Sequence, residues 1–429
     1  MFRVQSKTLP LQQDNLLEVG IALSTEAGQS VDWASTVAAA AESVLTSRKN
    51  RELALRALLL LATPDWCDPE RPLSALFRNE FHEKLGYSVP LIGASVPRAF
   101  VSLPPSDAAE EPRSVEIRNG FVLVALFSND LWMTVDGVRA PERFPDEDTR
   151  KGAVRDMAER IERCAREKYL GLGTSASSDL FAIFPGPIRM ADGSLTSLDM
   201  ELHDQVSEAF ADSKAVFGGS AANQLDAPEG GFQFQDDICL PSSLTVALIE
   251  YDFKMGEAMA HGLRAIPNLR LWITALGDAN KSRDYVIAEL DHQPAADRLR
   301  EVCRQVGMTR RRPTLGFAVT PYSRIVTPVD YSTESHGPLR LTQKVTLGFP
   351  LTVMDASPGE LLEYAKVAQR DPITRSNASE GAVRLILGLA CIGPFLESEQ
   401  VDGGGWYEAT KRMAPEYATS GTLQVIGSR

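Results

Sequence analysis

One arrangement occurs twice in the first part of this chain and limits what it can fold into. An apolar run of strand length is followed by a segment of helical period and then, roughly three dozen residues on, by a second apolar run that closes on Gly-x-Ser. "ALLLLATP", a helix near "PLSALFRNEFHEKLG" and "VPLIGASV" form the first set; "DLFAIFPGP", "SLDMELHDQVSEAF" and "KAVFGGSAAN" form the second. Beyond these, "LTVALIEYDF" and "GEAMAHGLRA" stand where "GFVLVALFS" and "LWMTVDGV" stood, and the earlier two read as a hairpin turning around Ser128–Asp130. Apolar runs alternating with helical periods are the pattern of a layered α/β protein, and the repetition marks a duplicated supersecondary unit.

The flanking segments extend the pattern. "LEVGIALS" reads as a strand, and Asp32 is placed to cap the Ala-rich helix "WASTVAAAAESVL". A charged amphipathic helix, "DTRKGAVRDMAERIERCAREKY", joins the two units, and "PPSDAAEEPRS" is an exposed loop. Later, "LRLWITALG", "DYVIAELD", "TLGFAVTP" and "RLTQKVTLGFPLTVMD" read as strands of a mostly antiparallel sheet, with helices at "PAADRLREVCRQVG" and "SPGELLEYAKVAQ". The strand "RLILGLACIG", a helix near "WYEATKRMAPEY" and "LQVIGS" resemble a third, faint copy of the unit. The expected fold class is therefore α/β, with layered mixed sheets and helices: an internally duplicated N-terminal domain over residues 16–268 and an α+β C-terminal domain over 269–429.

Charge and cysteine usage exclude several function classes. With 57 acidic against 44 basic residues the net charge is -13, which repels a polyanion, so nucleic acid is not an expected partner. The one dense basic run, Arg310–Arg312, reads as a solvated loop. Five scattered cysteines with no Cys-x-x-Cys pair argue against a disulfide framework and a zinc knuckle. No run approaches the ~20 apolar residues of a bilayer span, and no secretory leader is visible, so no membrane insertion and a cytoplasmic location are expected.

Strong catalytic signatures are lacking. "GLGTSA" at Gly171 follows a helix, where a dinucleotide fingerprint needs a strand. What remains are two small-residue turns expected at strand ends, Gly93-Ala94-Ser95 and Gly218-Gly219-Ser220-Ala221-Ala222-Asn223. Glycine there permits close backbone approach, and exposed amides and hydroxyls can bind a polar ligand; equally, such residues can simply make tight turns. His261, beside Gly262 at an expected strand end, is placed to point an imidazole into a cleft, though a hydrogen-bonded structural role is the ordinary alternative. Cys391 in "GLACIG" reads as a core thiol.

Together these landmarks resemble the FIST family, whose members carry an N-terminal and a C-terminal FIST domain in tandem. "VPLIGASV" is similar to its first Gly-Cys-Ser-type turn, with Ala94 in place of cysteine; "FGGSAAN" with "GGFQFQDDICLPSSLTVALIEY" resembles its second motif, and "AHGLRAI" its His-Gly segment. "AELDHQPAADRL", "LGFPLTVMDAS" and "GLACIGPF" resemble C-terminal landmarks. The chain departs from the family where Asn223 and Gln224 replace acidic residues, where Pro394 replaces an arginine, and in lacking the terminal Gly-Glu. The resemblance implies a sensory protein for a small polar, amino-acid-like ligand held by Gly93, Ser95, Gly218, Gly219, Ser220, Asn223 and His261, signalling through a separate kinase or regulator. Two alternatives stay open: a nitric-oxide-responsive haem sensor with His261 on the iron, and an enzyme using Ser95 or Ser220 as nucleophile with His261 as base. A protein scaffold is the fourth reading.

Overall fold

The computed structural model describes residues 17–28, 31–103, 113–139, 147–168, 177–186, 188–189, 195–196, 198–210, 216–222, 231–253, 263–277, 286–308, 314–317, 325–326, 328–329, 336–341, 344–357, 359–360, 363, 385–391 and 422–427. The first unit runs β1 (Glu18–Ser24), α1 (Trp33–Ser47), β2 (Leu55–Ala62), α2 (Leu73–Leu85), β3 (Leu91–Ser95), the pair β4 (Arg98–Leu103) and β5 (Arg113–Ile117), then β6 (Phe121–Phe127). The second runs β7 (Leu131–Val138), α3 (Glu147–Lys168), β8 (Ser177–Phe184), the short strands β9 (Ile188–Arg189) and β10 (Leu195–Thr196), α4 (Asp199–Ala209), β11 (Val216–Ser220), the pair β12 (Phe232–Gln235) and β13 (Ile238–Pro241), then β14 (Leu244–Tyr251).

The duplication is written in the sheets. One sheet has the order β1-β6-β2-β3-β12-β13, and another reads β7-β14-β8-β11. In each, the first strand is antiparallel to the second, the second antiparallel to the third, and the third parallel to the fourth. β7 therefore stands where β1 stands. This corrects the sequence expectation in two ways. "GFVLVALFS" and "LWMTVDGV" do not form a hairpin: β6 closes the first sheet between β1 and β2, and the chain crosses at Ser128–Asp130 to open the second. "LWMTVDGV" is accordingly the counterpart of "LEVGIALS", not of "GEAMAHGLRA", most of which lies outside the described residues.

Strands buried on both faces explain the unbroken apolar runs. Along β2, Leu58, Leu60 and Ala62 pack under α1 and α2, while Ala57, Leu59 and Leu61 face the opposing sheet. Along β8, Leu180, Ala182 and Phe184 pack under α3 and α4, while Phe181 and Ile183 join Leu59 and Leu61 in the core between the sheets. The result is helix, sheet, sheet, helix. Each helix follows from its spacing. Val154, Met157, Ala158, Ile161 and Ala165 of α3 fall on one stripe and are all buried. Asp32 caps α1 as expected, accepting from the amides of Ala34 at 3.3 Å and Ser35 at 3.2 Å, and Gly86 ends α2 at φ 78.

Farther along come β15 (Arg264–Leu276), β16 (Val286–Leu290), β17 (Gln293–Pro294), α5 (Ala295–Gln305), β18 (Thr314–Phe317), β19 (Ile325–Val326), β20 (Pro328–Val329), β21 (Leu339–Leu341) and β22 (Pro350–Asp355). All pairings in this sheet are antiparallel, in the order β19-β18-β22-β15-β16-β21-β20, with β17 on β16; α5 covers one face through Ala295, Ala296, Leu299 and Val302. The expected helices at "SPGELLEYAKVAQ" and "WYEATKRMAPEY" fall largely or wholly outside the described residues. The last strands, β23 (Ile386–Cys391) and β24 (Thr422–Gly427), pair in parallel as β2 with β3 and β8 with β11 do, and β24 pairs with β4 in a sheet ordered β23-β24-β4-β5. No helix among the described residues is long and apolar enough to cross a membrane.

Candidate functional site

The two Gly-x-Ser segments are not turns. Gly93, Ala94 and Ser95 are the last residues of β3, and Gly218, Gly219 and Ser220 the last of β11. The glycines serve close approach between parallel strands rather than chain reversal. A Cβ on Gly93 would lie 2.0 Å from the Leu60 carbonyl oxygen, and one on Gly218 would lie 1.7 Å from that of Ala182. Gly218 also adopts φ +154, where side-chain-bearing residues are strained. The serines close the two parallel ladders, Ser95 opposite Ala62 and Ser220 opposite Phe184. Both thus sit at the C-terminal ends of parallel strands, the end at which open α/β sheets place their ligands.

The duplicated units bring these ends together. The amide of Ala222 donates to the carbonyl of Ser95 at 3.0 Å, and that of Ala221 to the carbonyl of Phe184 at 3.0 Å. β12 crosses the same junction. Its first amide, on Phe232, donates to Ser95 Oγ at 2.7 Å, and Gln233, fully buried, donates through Nε2 to the Phe184 carbonyl at 3.2 Å while its Oε1 accepts from Ser243 N at 2.7 Å. Ser95 is itself fully buried, so its hydroxyl serves as a clip for β12; Ser220 keeps 9% of its surface exposed. The side chains that make this junction are neutral and hold it together through hydrogen bonds rather than ion pairs. One more polar group lies nearby in the sheet. Thr245 pairs with Ile183, which pairs with Gly219, and the fully buried Thr245 Oγ1 finds no hydrogen-bond partner among the described residues.

Asn223 and His261 lie outside the described residues, so the ligand contacts expected of both, and the haem ligation that the alternative reading gives to His261, have no placement here. Sequence reasoning missed Gln233 and the whole β12–β13 hairpin, although the alternation Phe-Gln-Phe-Gln before Asp236-Asp237 carries the period-2 signal of a strand entering a turn. That hairpin is anchored elsewhere too: Leu91 N donates to Asp236 Oδ1 at 3.0 Å, and Arg78 pairs with Asp237 at 2.5 Å. Nearby thiols are not activated. Burial raises Cys67 well above the ordinary thiol range and pushes Cys239 up to about 12, so neither is a thiolate at neutral pH. Among the described residues there is no cluster of three or more metal-ligating side chains.

The family model described as the FIST N domain matches residues 21–293, which span both repeats and the junction between them. No curated protein matches the chain.

Proposed function

Because the chain belongs to the FIST family, a family of small-ligand sensory domains, we propose that it is a sensory protein that binds a small polar, amino-acid-like metabolite where the strand ends of its two repeats meet. The observation that carries this reading is the bond from Ala222 N to the Ser95 carbonyl, which joins the Gly-x-Ser segments of the two units at the C-terminal ends of their parallel strands. Gly219, Ser220 and Thr245 supply the ligand contacts, while Gly93, Gly218 and Ser95 shape and hold the junction. Asn223 and His261 lie outside the described residues and stay candidate contacts on the family resemblance alone. Neutral donors and acceptors favour a ligand recognised through amides and hydroxyls, because a charged group buried there would need a partner of opposite sign. The signal leaves through a separate protein, which senses ligand occupancy at this junction.

Mass spectrometry of small molecules that co-purify with the protein, followed by calorimetry with the twenty amino acids, tests the reading. Saturable binding is expected, and Ser220→Ala weakens it about tenfold, the loss of roughly one hydrogen bond, with the melting temperature unchanged. Uniform absence of binding by the purified chain overturns it.

A further inference from the structure

Of the three parallel strand pairs among the described residues, two are closed in the same way. The outer edge of β3 is capped by the β12–β13 hairpin, which comes from the second unit, and the outer edge of β24 is capped by β4–β5, which comes from the first. Each cap is antiparallel and is supplied by a distant stretch of chain. β11 is the counterpart of both capped strands, yet it ends its sheet, and no strand among the described residues hydrogen-bonds to its outer edge. Strands β1 and β7, by contrast, end their sheets in both units alike, so the asymmetry belongs to β11 alone of the repeated pair.

Burial follows the cap. Every residue of β3 is buried, whereas Val216, Phe217, Gly218 and Gly219 of β11 are each partly exposed. None of Val216–Ser220 is charged or proline, the residues with which proteins usually guard a free edge. The register of the capped copy indicates what fits. Phe234 lies opposite Gly93 and is fully buried, so the capped copy seats an aromatic residue at the register position of that glycine. Gly218 occupies the same register position as Gly93, two residues before the end of its parallel ladder.

We propose that the outer edge of β11 binds an extended peptide segment of a partner protein as an added antiparallel strand, with an aromatic residue opposite Gly218. Main-chain hydrogen bonds supply the affinity and the aromatic residue the register, the usual division in strand addition. This inference goes beyond the small-ligand reading and does not depend on it.

The molecule provides its own probe. A fluorescently labelled synthetic peptide Gly-Phe-Gln-Phe-Gln-Asp-Asp, the sequence of residues 231–237, is titrated with the full chain and followed by anisotropy. Two further peptides carry N-methyl groups on the odd or the even amides. Saturable binding is expected for the parent, with at least a tenfold loss for one methylated peptide and little for the other, since only alternate amides of an edge strand face its neighbour. Absence of saturable binding at millimolar concentration, or equal binding by all three peptides, overturns the proposal. So does a homodimer in analytical ultracentrifugation that excludes the parent peptide, which would assign the edge to a second copy. None of these outcomes alters the co-purification result, so failure here is distinguishable from failure of the metabolite reading.

Discussion

Gly218 combines two demands that usually occur apart, a φ of +154 and a neighbouring carbonyl oxygen 1.7 Å from any added Cβ. Gly86, at φ +78 with open space around its missing Cβ, faces only the first. Gly86→Ala should therefore cost about 1 kcal/mol, the conformational penalty alone, and Gly218→Ala about 3 kcal/mol or more because strand β11 must also move away from β8. Urea unfolding of the two variants measures the difference, and equal costs would show that β11 yields freely. Thr245 gives the opposite sign. Its buried hydroxyl has no partner among the described residues, so Thr245→Val, which keeps the shape, should stabilise the ligand-free protein by about 1 kcal/mol in a thermal melt. Destabilisation instead would reveal a hydrogen bond that the described residues do not supply. At this scale the sequence singled out Gly93, Ser95, Gly218 and Ser220 as turn residues, and the structure places them in strands instead. Gly-x-Ser reads as a turn because glycine and serine are turn formers, but the constraint is the distance to a parallel neighbour, and that distance is set by residues some three dozen positions away.

Elements were legible wherever one face decided them. The stripe of α3 and the apolar runs of β2, β6, β8 and β14 are local patterns, and each forms as its pattern dictates. Pairing was less legible. The short Ser128–Asp130 link between β6 and β7 suits a hairpin as well as a crossing, and the choice is made by which sheet still needs a strand. β2 requires β6 as its antiparallel neighbour, which leaves β7 to begin the next unit. The β12–β13 hairpin was hidden for a related reason, since its partner β3 lies well over a hundred residues earlier in the chain. This makes the hairpin a cross-unit clamp, and Ser95→Ala tests it. Removing Oγ leaves the half-buried Phe232 amide without its acceptor, at a cost of about 1 kcal/mol. Hydrogen exchange should show faster opening at β12 than at β2, whereas uniform protection would mean that the clip is dispensable.

At the scale of the whole molecule, distant parts are tied in two ways. The first is electrostatic. Lys344 reaches Glu147 of α3 at 2.8 Å and Glu201 of α4 at 3.3 Å, and Lys344 with Lys151 holds the Glu147 carboxyl down from 4.5 to about 2. A depressed carboxylate stabilises the fold above its unfolded value near 4.5, and that contribution is lost as pH falls toward 2. Both side chains are about 40% exposed, so screening keeps the effect below roughly 1 kcal/mol. Lys344→Ala should lower stability at neutral pH by up to that amount, leave it unchanged near pH 2 and so flatten the limb between, which chemical unfolding across pH 2–7 reads directly.

The second tie is the chain itself. β15 continues through the expected domain boundary at residue 268, pairing with β22 on both sides of it, at Arg264 and Ala265 before and at Arg270 to Trp272 after. β24, near the end of the chain, pairs with β4 of the first unit along Thr422 to Ile426, so the two expected domains share a sheet as well as a strand. We therefore predict that the two regions melt in one transition. A chain ending after Pro267 keeps only the first residues of β15, loses β22 beside them, and leaves the inner edge of β4 without β24. The half that remains exposes a strand edge and the apolar surface around Val101 and Ala99, which are buried in the core between the sheets. Such a fragment should aggregate on expression or give a broad, non-cooperative thermal profile. A soluble fragment with a sharp melt and protected β2 and β6 amides would show instead that the duplicated unit folds alone, and that β24 and β15 are later additions to a self-sufficient core.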